Sequence, residues 1–103
     1  MPKHRVEITK TAESDLREIF DYIAADNEAA AKGLVSEIER QIDSLERYPS
    51  RCPVLPESTD LGREYRHIIY GQYRTFFRID GSRVIILHVL HSPRLLSLKL
   101  FER

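Results

Sequence analysis

A chain of 103 residues with 42% apolar and 31% charged side chains has the balance of one small globular domain, residues 1–103, able to fold without disulfides or metals. Its 16 basic and 16 acidic residues cancel, and its longest unbroken apolar run, residues 84–87, is too short to cross a bilayer, which excludes a membrane-spanning helix and a charge-rich disordered chain. The first ten residues hold no apolar core of signal-peptide length, so the expected location is the cytoplasm, and the lone Cys52 excludes an internal disulfide.

The chain opens on "HRVEIT", where Val6 and Ile8 alternate with Arg5, Glu7 and Thr9, the period of a half-buried strand. The period then changes. Leu16, Ile19, Phe20 and Ile23 fall on one stripe of a helix that Thr11 can cap. Tyr22 falls beside the stripe. Asp26 and Asn27 break the pattern and can cap a second helix carrying Ala31, Leu34, Val35, Ile38, Ile42 and Leu45. Gly33 inside it is read as a point of close contact with the first helix. Pro49 ends that helix, and the short break between the two makes an antiparallel hairpin.

Residues 49–64 hold three prolines and no period, which predicts one long loop. Three strands follow: "YRHIIY" up to a turn at Gly71-Gln72, "YRTFFRI" up to a turn at Asp80-Gly81, and "RVIILHVLH". The order β-α-α-β-β-β predicts an α+β fold, with the helical hairpin packed on a mainly antiparallel sheet. Leu95, Leu96, Leu98, Leu100 and Phe101 make the last segment apolar enough to pack back or await a partner.

Charge is uneven. Residues 1–62 carry 8 Lys and Arg against 13 Asp and Glu, while residues 63–103 carry 8 against 3. The second half therefore suits an anionic partner, unless the halves pair with each other across the fold. On "YRTFFRI", Arg74, Phe76 and Arg78 share one face, opposite Tyr73, Thr75, Phe77 and Ile79, and Arg66 on the preceding strand can extend the cationic surface. Guanidiniums beside a ring suit phosphates and bases, or the acidic side chains of a protein.

His88 and His91 are three apart, which on a regular strand puts them on opposite faces. His91 can shuttle a proton, but no carboxylate or tyrosine accompanies it in sequence. Cys52 reads either as a small, partly buried residue or as a thiol activated by Arg51. No zinc spacing or phosphate-cradling glycine loop is present, so neither a metal nor a cofactor is expected. The residues alone favour a binding domain over an enzyme.

The segments "AESDLREIFDYIAADN", "IDSLERYPSRCP", "REYRHIIYGQYRTFFRID" and "VIILHVLHSPR", in that order, resemble the RelE/ParE superfamily of bacterial type II toxins, and within it the ParE branch. The resemblance implies a toxin that inhibits DNA gyrase by protein binding and is neutralised by a cognate antitoxin, ParD-like or similar, in a hetero-oligomer. It implies no sequence-specific nucleic-acid binding by the toxin alone. The RelE branch implies a different activity, ribosome-dependent cleavage of messenger RNA. Here Arg74 and His91 stand where a sheet arginine and a terminal histidine of such a nuclease would stand. Ser92 replaces the tyrosine that often follows, and Val54, with Glu57 nearby, replaces a loop glutamate. A non-toxic, antitoxin-binding member is the third possibility. Arg66, Arg74, Arg78 and Arg94 are the expected partner-binding residues.

Overall fold

The computed structural model describes residues 3–56, 58 and 63–91. Arg94, Ser92, Glu57 and the apolar C-terminal segment lie outside them. The elements are β1 (Arg5–Ile8), α1 (Lys10–Ala24), α2 (Glu28–Ser44), one 3-10 turn (Pro49–Arg51), β2 (Arg66–Tyr70), β3 (Tyr73–Asp80) and β4 (Arg83–His91). This is the expected α+β order. The sheet runs β1-β4-β3-β2, with β1 parallel to β4 and the other neighbours antiparallel.

The helices form because each has an apolar stripe and a side-chain cap. Thr9, not Thr11, starts α1: its Oγ1 accepts the Ala12 N–H at 3.1 Å and donates to the Ile86 carbonyl at 2.8 Å. One threonine thus ends β1, begins α1 and ties both to β4. Asn27 caps α2 by accepting the Ala30 N–H at 3.0 Å. The two hairpin turns are alike. Tyr70 pairs with Tyr73 and Asp80 with Arg83, so the turn residues are Gly71-Gln72 and Gly81-Ser82. Asp80 is the last strand residue rather than a turn residue. Only the glycine of each turn has positive φ, 58° at Gly71 and 62° at Gly81, the pattern that suits the twist of a tight hairpin.

The main core lies between the hairpin and the sheet: Ala12 and Leu16 from α1, Ile38 and Ile42 from α2, Phe77 from β3, and Val84, Ile86 and Val89 from β4. A second, smaller core occupies the other sheet face, where Leu55 and Tyr65 from the long loop cover Phe76 and Leu90. Val84 and Ile86 point to the helices, and so does Val89. That odd step is possible because β4 carries a bulge: Phe77 pairs with Ile86 but Phe76 with His88, leaving Leu87 extra.

Gly33 does not mark a close approach. It is exposed, and a β-carbon built there meets nothing within 4 Å. Its only effect is the entropy lost in ordering a glycine. Gly33→Ala should therefore stabilise the fold by about 0.5–1 kcal/mol, read as a higher denaturation midpoint with an unchanged slope; an unchanged or lower midpoint would show that the site is crowded after all.

Candidate functional site

The face of the sheet away from the helices carries Arg74 and Arg78. Arg74 sits in a row between Ile69 on β2 and Leu90 on β4. Ile69 is 52% exposed. Arg74 makes no ion pair among the described residues, and its Nε is buried without a hydrogen-bond partner. A guanidinium half-sunk beside exposed apolar surface is ready to take an acidic partner. Arg78 is already engaged: it stands 3.5 Å from Asp80, which accepts from Arg83 at 2.9 Å, and Arg83 also reaches Glu7 at 3.2 Å. The Arg83 hydrogen bond, helped by Arg78, holds the Asp80 carboxyl below the usual carboxylate range.

Arg66 does not extend this surface. It pairs with Phe77, whose side chain belongs to the helix-side core, so the register puts Arg66 on the opposite face from Arg74 and Arg78. Its Nη1 donates to the Ser50 carbonyl at 3.1 Å and the Cys52 carbonyl at 2.6 Å, and Nη2 reaches Glu64 at 3.4 Å. The long loop that the sequence leaves unstructured is pinned by these bonds, by the Val54–Arg66 bridge and by Ser58, whose Oγ bonds both the N–H and the carbonyl of Tyr65. Arg66 is thus a fastening for residues 50–52.

His91 lies on the helix side. Its ring meets Tyr73 edge-on at 5.2 Å between centroids, and its Nε2 is 3.0 Å from the Gln72 side-chain oxygen. The register from His88 to His91 is regular, with His88 opposite Phe76 and His91 opposite Tyr73, so the expected alternation holds between them, yet His88 still reaches α1. His88 Nδ1 is 3.1 Å from Asp15 Oδ2, which also accepts the Val89 N–H at 3.0 Å. A groove of about 430 Å³ runs between α1 and the end of β4, bringing Asp15, Glu18, Tyr22 and Tyr73 to the same wall as His91. The carboxylates and tyrosines missing beside His91 in sequence are supplied by tertiary packing. Asp15 is committed to the bulge, which leaves Glu18 and the 82% exposed Tyr22 facing the groove. A surface lined with carboxylates repels phosphate and suits an apolar or basic segment.

The sheet therefore separates two sites. Arg74 faces one side and His91 the other, although they are neighbours in the β3–β4 ladder. The charge asymmetry also survives folding, since Arg83–Glu7 is the one Lys/Arg ion pair among the described residues that joins the two halves of the chain. No three His, Cys, Asp or Glu side chains gather as a metal site among the described residues, and no described helix is long and apolar enough to cross a membrane.

The family profile described as the ParE toxin of the type II toxin–antitoxin system parDE matches residues 6–96. The chain belongs to the ParE toxin family. The fold is similar to that in the chromosomal ParDE toxin–antitoxin system of P. aeruginosa, with a TM-score of 0.68 and 21% identity over 86% of this chain and 96% of that one. It is also similar to a chain of the RelBE2 toxin–antitoxin complex of Mycobacterium tuberculosis, with a TM-score of 0.61 and 26% identity over 86% of this chain and 98% of that one. No curated protein matches the sequence. As a ParE toxin of a type II system, the chain carries the second core and the Arg74 row on the sheet face that its helices leave open.

Cys52 is not an activated nucleophile. It is buried, and desolvation pushes its thiol pKa up, with Arg51 and Arg66 offsetting only part of the rise. Iodoacetamide at neutral pH should modify the folded toxin far more slowly than the denatured one; equal rates by mass spectrometry would mean an exposed, activated thiol.

Proposed function

We propose that this ParE toxin acts by docking: it inhibits DNA gyrase through protein contact and is held inactive by a cognate antitoxin. The observation that carries this reading is the division of Arg74 from His91 by the sheet. Cleavage of a phosphodiester needs a cation on the phosphate within reach of the group that moves the proton. Here the Arg74 guanidinium, with no ion pair among the described residues, is on one face, and the His91 ring is on the other, beside carboxylates that disfavour a phosphate. The arrangement supports binding over cutting.

Both solved relatives come from toxin–antitoxin complexes, which supports an antitoxin partner for this chain. An amphipathic, acidic antitoxin segment that orders on binding fits the Arg74 row, where Ile69 offers exposed apolar surface and Arg78 lies farther along the same face. Arg66 has no part in that contact, and Arg94 is assigned to the partner surface only through the family resemblance.

The target reading is tested by adding purified toxin to two reactions. With gyrase and plasmid DNA, supercoiling should fail and linear DNA should accumulate. In a translating extract, messages should stay intact. Ribosome-dependent message cleavage with gyrase unaffected would replace the proposal with a nuclease, and inertness in both, with cells surviving induction, would leave only an antitoxin-binding protein.

The antitoxin surface is tested separately. Arg74→Ala should weaken the antitoxin complex by about 2–5 kcal/mol if the charge is desolvated against an acidic partner. Arg66→Ala should lower thermal stability and leave affinity close to wild type. Titration calorimetry showing the reverse pattern would move the antitoxin to the other face.

A further inference from the structure

A third surface lies at the opposite end of β3 from His91, where α2 gives way to the long loop. Tyr48 there has φ 49° and ψ 53°, the one non-glycine residue among those described in the left-handed region. A side chain in that region crowds its own backbone, so glycine or asparagine is the ordinary occupant. The conformation is held in place. Arg51 Nη1 donates to the carbonyls of Arg47 at 2.5 Å and Tyr48 at 3.1 Å, and the buried Pro49 fixes the next φ. The result is a tyrosine that is 59% exposed on a turn that would be easier to build with glycine. Strain retained by surrounding contacts is typical of ligand-binding positions.

Beside this ring is a cavity of about 460 Å³, lined by Lys3, His4, Arg47, Tyr48, Ser50 and Ile79. Lys3 and Arg47 share a single counter-charge, Glu46, at 3.7 and 3.9 Å, and both side chains are largely exposed. Such long, solvated pairs hold their partners weakly and are open to exchange for a ligand anion. His4 Nδ1 is buried and has no protein partner among the described residues. Two cations, a buried imidazole nitrogen, an apolar floor at Ile79 and an exposed ring match a compound that joins a phosphate to a flat aromatic base.

We propose that this cavity binds a nucleoside phosphate, with the base against Tyr48 and the phosphate between Lys3 and Arg47. Its recognition elements read a flat ring and a charge, not a base sequence. The unit is either a free nucleotide or one residue of a single strand. The site shares no residue with the Arg74 row or the His91 groove, so it stands whatever the toxin's target.

The test is an NMR titration of the full-length toxin with adenosine monophosphate, adenosine, inorganic phosphate and an unphosphorylated oligothymidylate. Adenosine monophosphate or the oligonucleotide should shift the amides of Lys3, Arg47 and Tyr48, with adenosine and phosphate binding at least about tenfold more weakly. Tighter binding of the oligonucleotide identifies a strand as the source; tighter binding of the mononucleotide identifies a free nucleotide. Tyr48→Gly relieves the strain, so its melting temperature should hold or rise while affinity falls about tenfold. The Lys3→Ala/Arg47→Ala variant should lose affinity to a similar degree and decides the matter should Tyr48→Gly fail to fold. Absence of shifts at millimolar ligand, or full affinity in either folded variant, overturns the proposal.

Discussion

Asp15 Oδ2 accepts the Val89 N–H at 3.0 Å and lies 3.1 Å from His88 Nδ1, while Thr9 Oγ1 donates to the Ile86 carbonyl at 2.8 Å. These contacts join the first helix to the last strand across more than seventy residues of sequence, and they bracket the bulge at Leu87. A bulge leaves backbone groups out of the ladder, and leaving such a group unpaired costs about 1–3 kcal/mol. Thr9 and Asp15 serve backbone groups on either side of Leu87, at and beyond the last β1 pair, Ile8–Ile86. The bulge in turn resets which side chains face the helices. Val84 and Ile86 do so before it, and Val89 after it, with His91 beside α1 and Leu90 in the second core. Without the extra residue, Leu90 would face α1, and His91 would share a surface with Arg74.

From this the division of the molecule follows. One sheet face carries a main core and, at its margin, a groove lined by carboxylates and tyrosines. The other carries a small second core under a cation with no partner among the described residues. A ParE toxin built this way offers partners two chemically different surfaces, one basic and apolar, one acidic and aromatic. The Tyr48 turn adds a third, at the far end of the sheet. Neither of the two sheet-face surfaces combines the Arg74 cation with the acid–base groups beside His91, and that separation is the ground for reading the toxin as a protein that docks.

Much of the fold is legible from period and punctuation. The stripe Leu16, Ile19, Phe20, Ile23 gives α1, Asn27 gives the cap of α2, and two glycines give two tight turns. Some of what was missed had a signal. Counting back from the Gly71-Gln72 turn pairs residue 70 with 73 and so 66 with 77, which already places Arg66 with Phe77 rather than with Arg74. Thr9 rather than Thr11 caps α1 because the chain passes from strand to helix without a loop, and short-range patterning does not separate two threonines two residues apart. The bulge has no local signature at all: "VIILHVLH" is apolar nearly throughout, so its period cannot show a slipped residue. The groove at His91 is equally invisible in sequence, because Glu18 and Tyr22 reach it only once α1 is laid against β4. The strained Tyr48 hides in the same way: the residue before a proline is expected to be extended, and the left-handed turn is held by the Arg51 hydrogen bonds and the buried Pro49.

The claim on which the functional reading rests is that the Leu87 bulge turns His91 away from Arg74. Nuclear Overhauser contacts from the His91 ring measure this directly in the free toxin. The account predicts cross-peaks to the Tyr73 ring and to side chains of α1, and none to the side chain of Arg74. Cross-peaks from His91 to Arg74 and Ile69 would place the two groups on one face, restore the elements of a nuclease site, and contradict it.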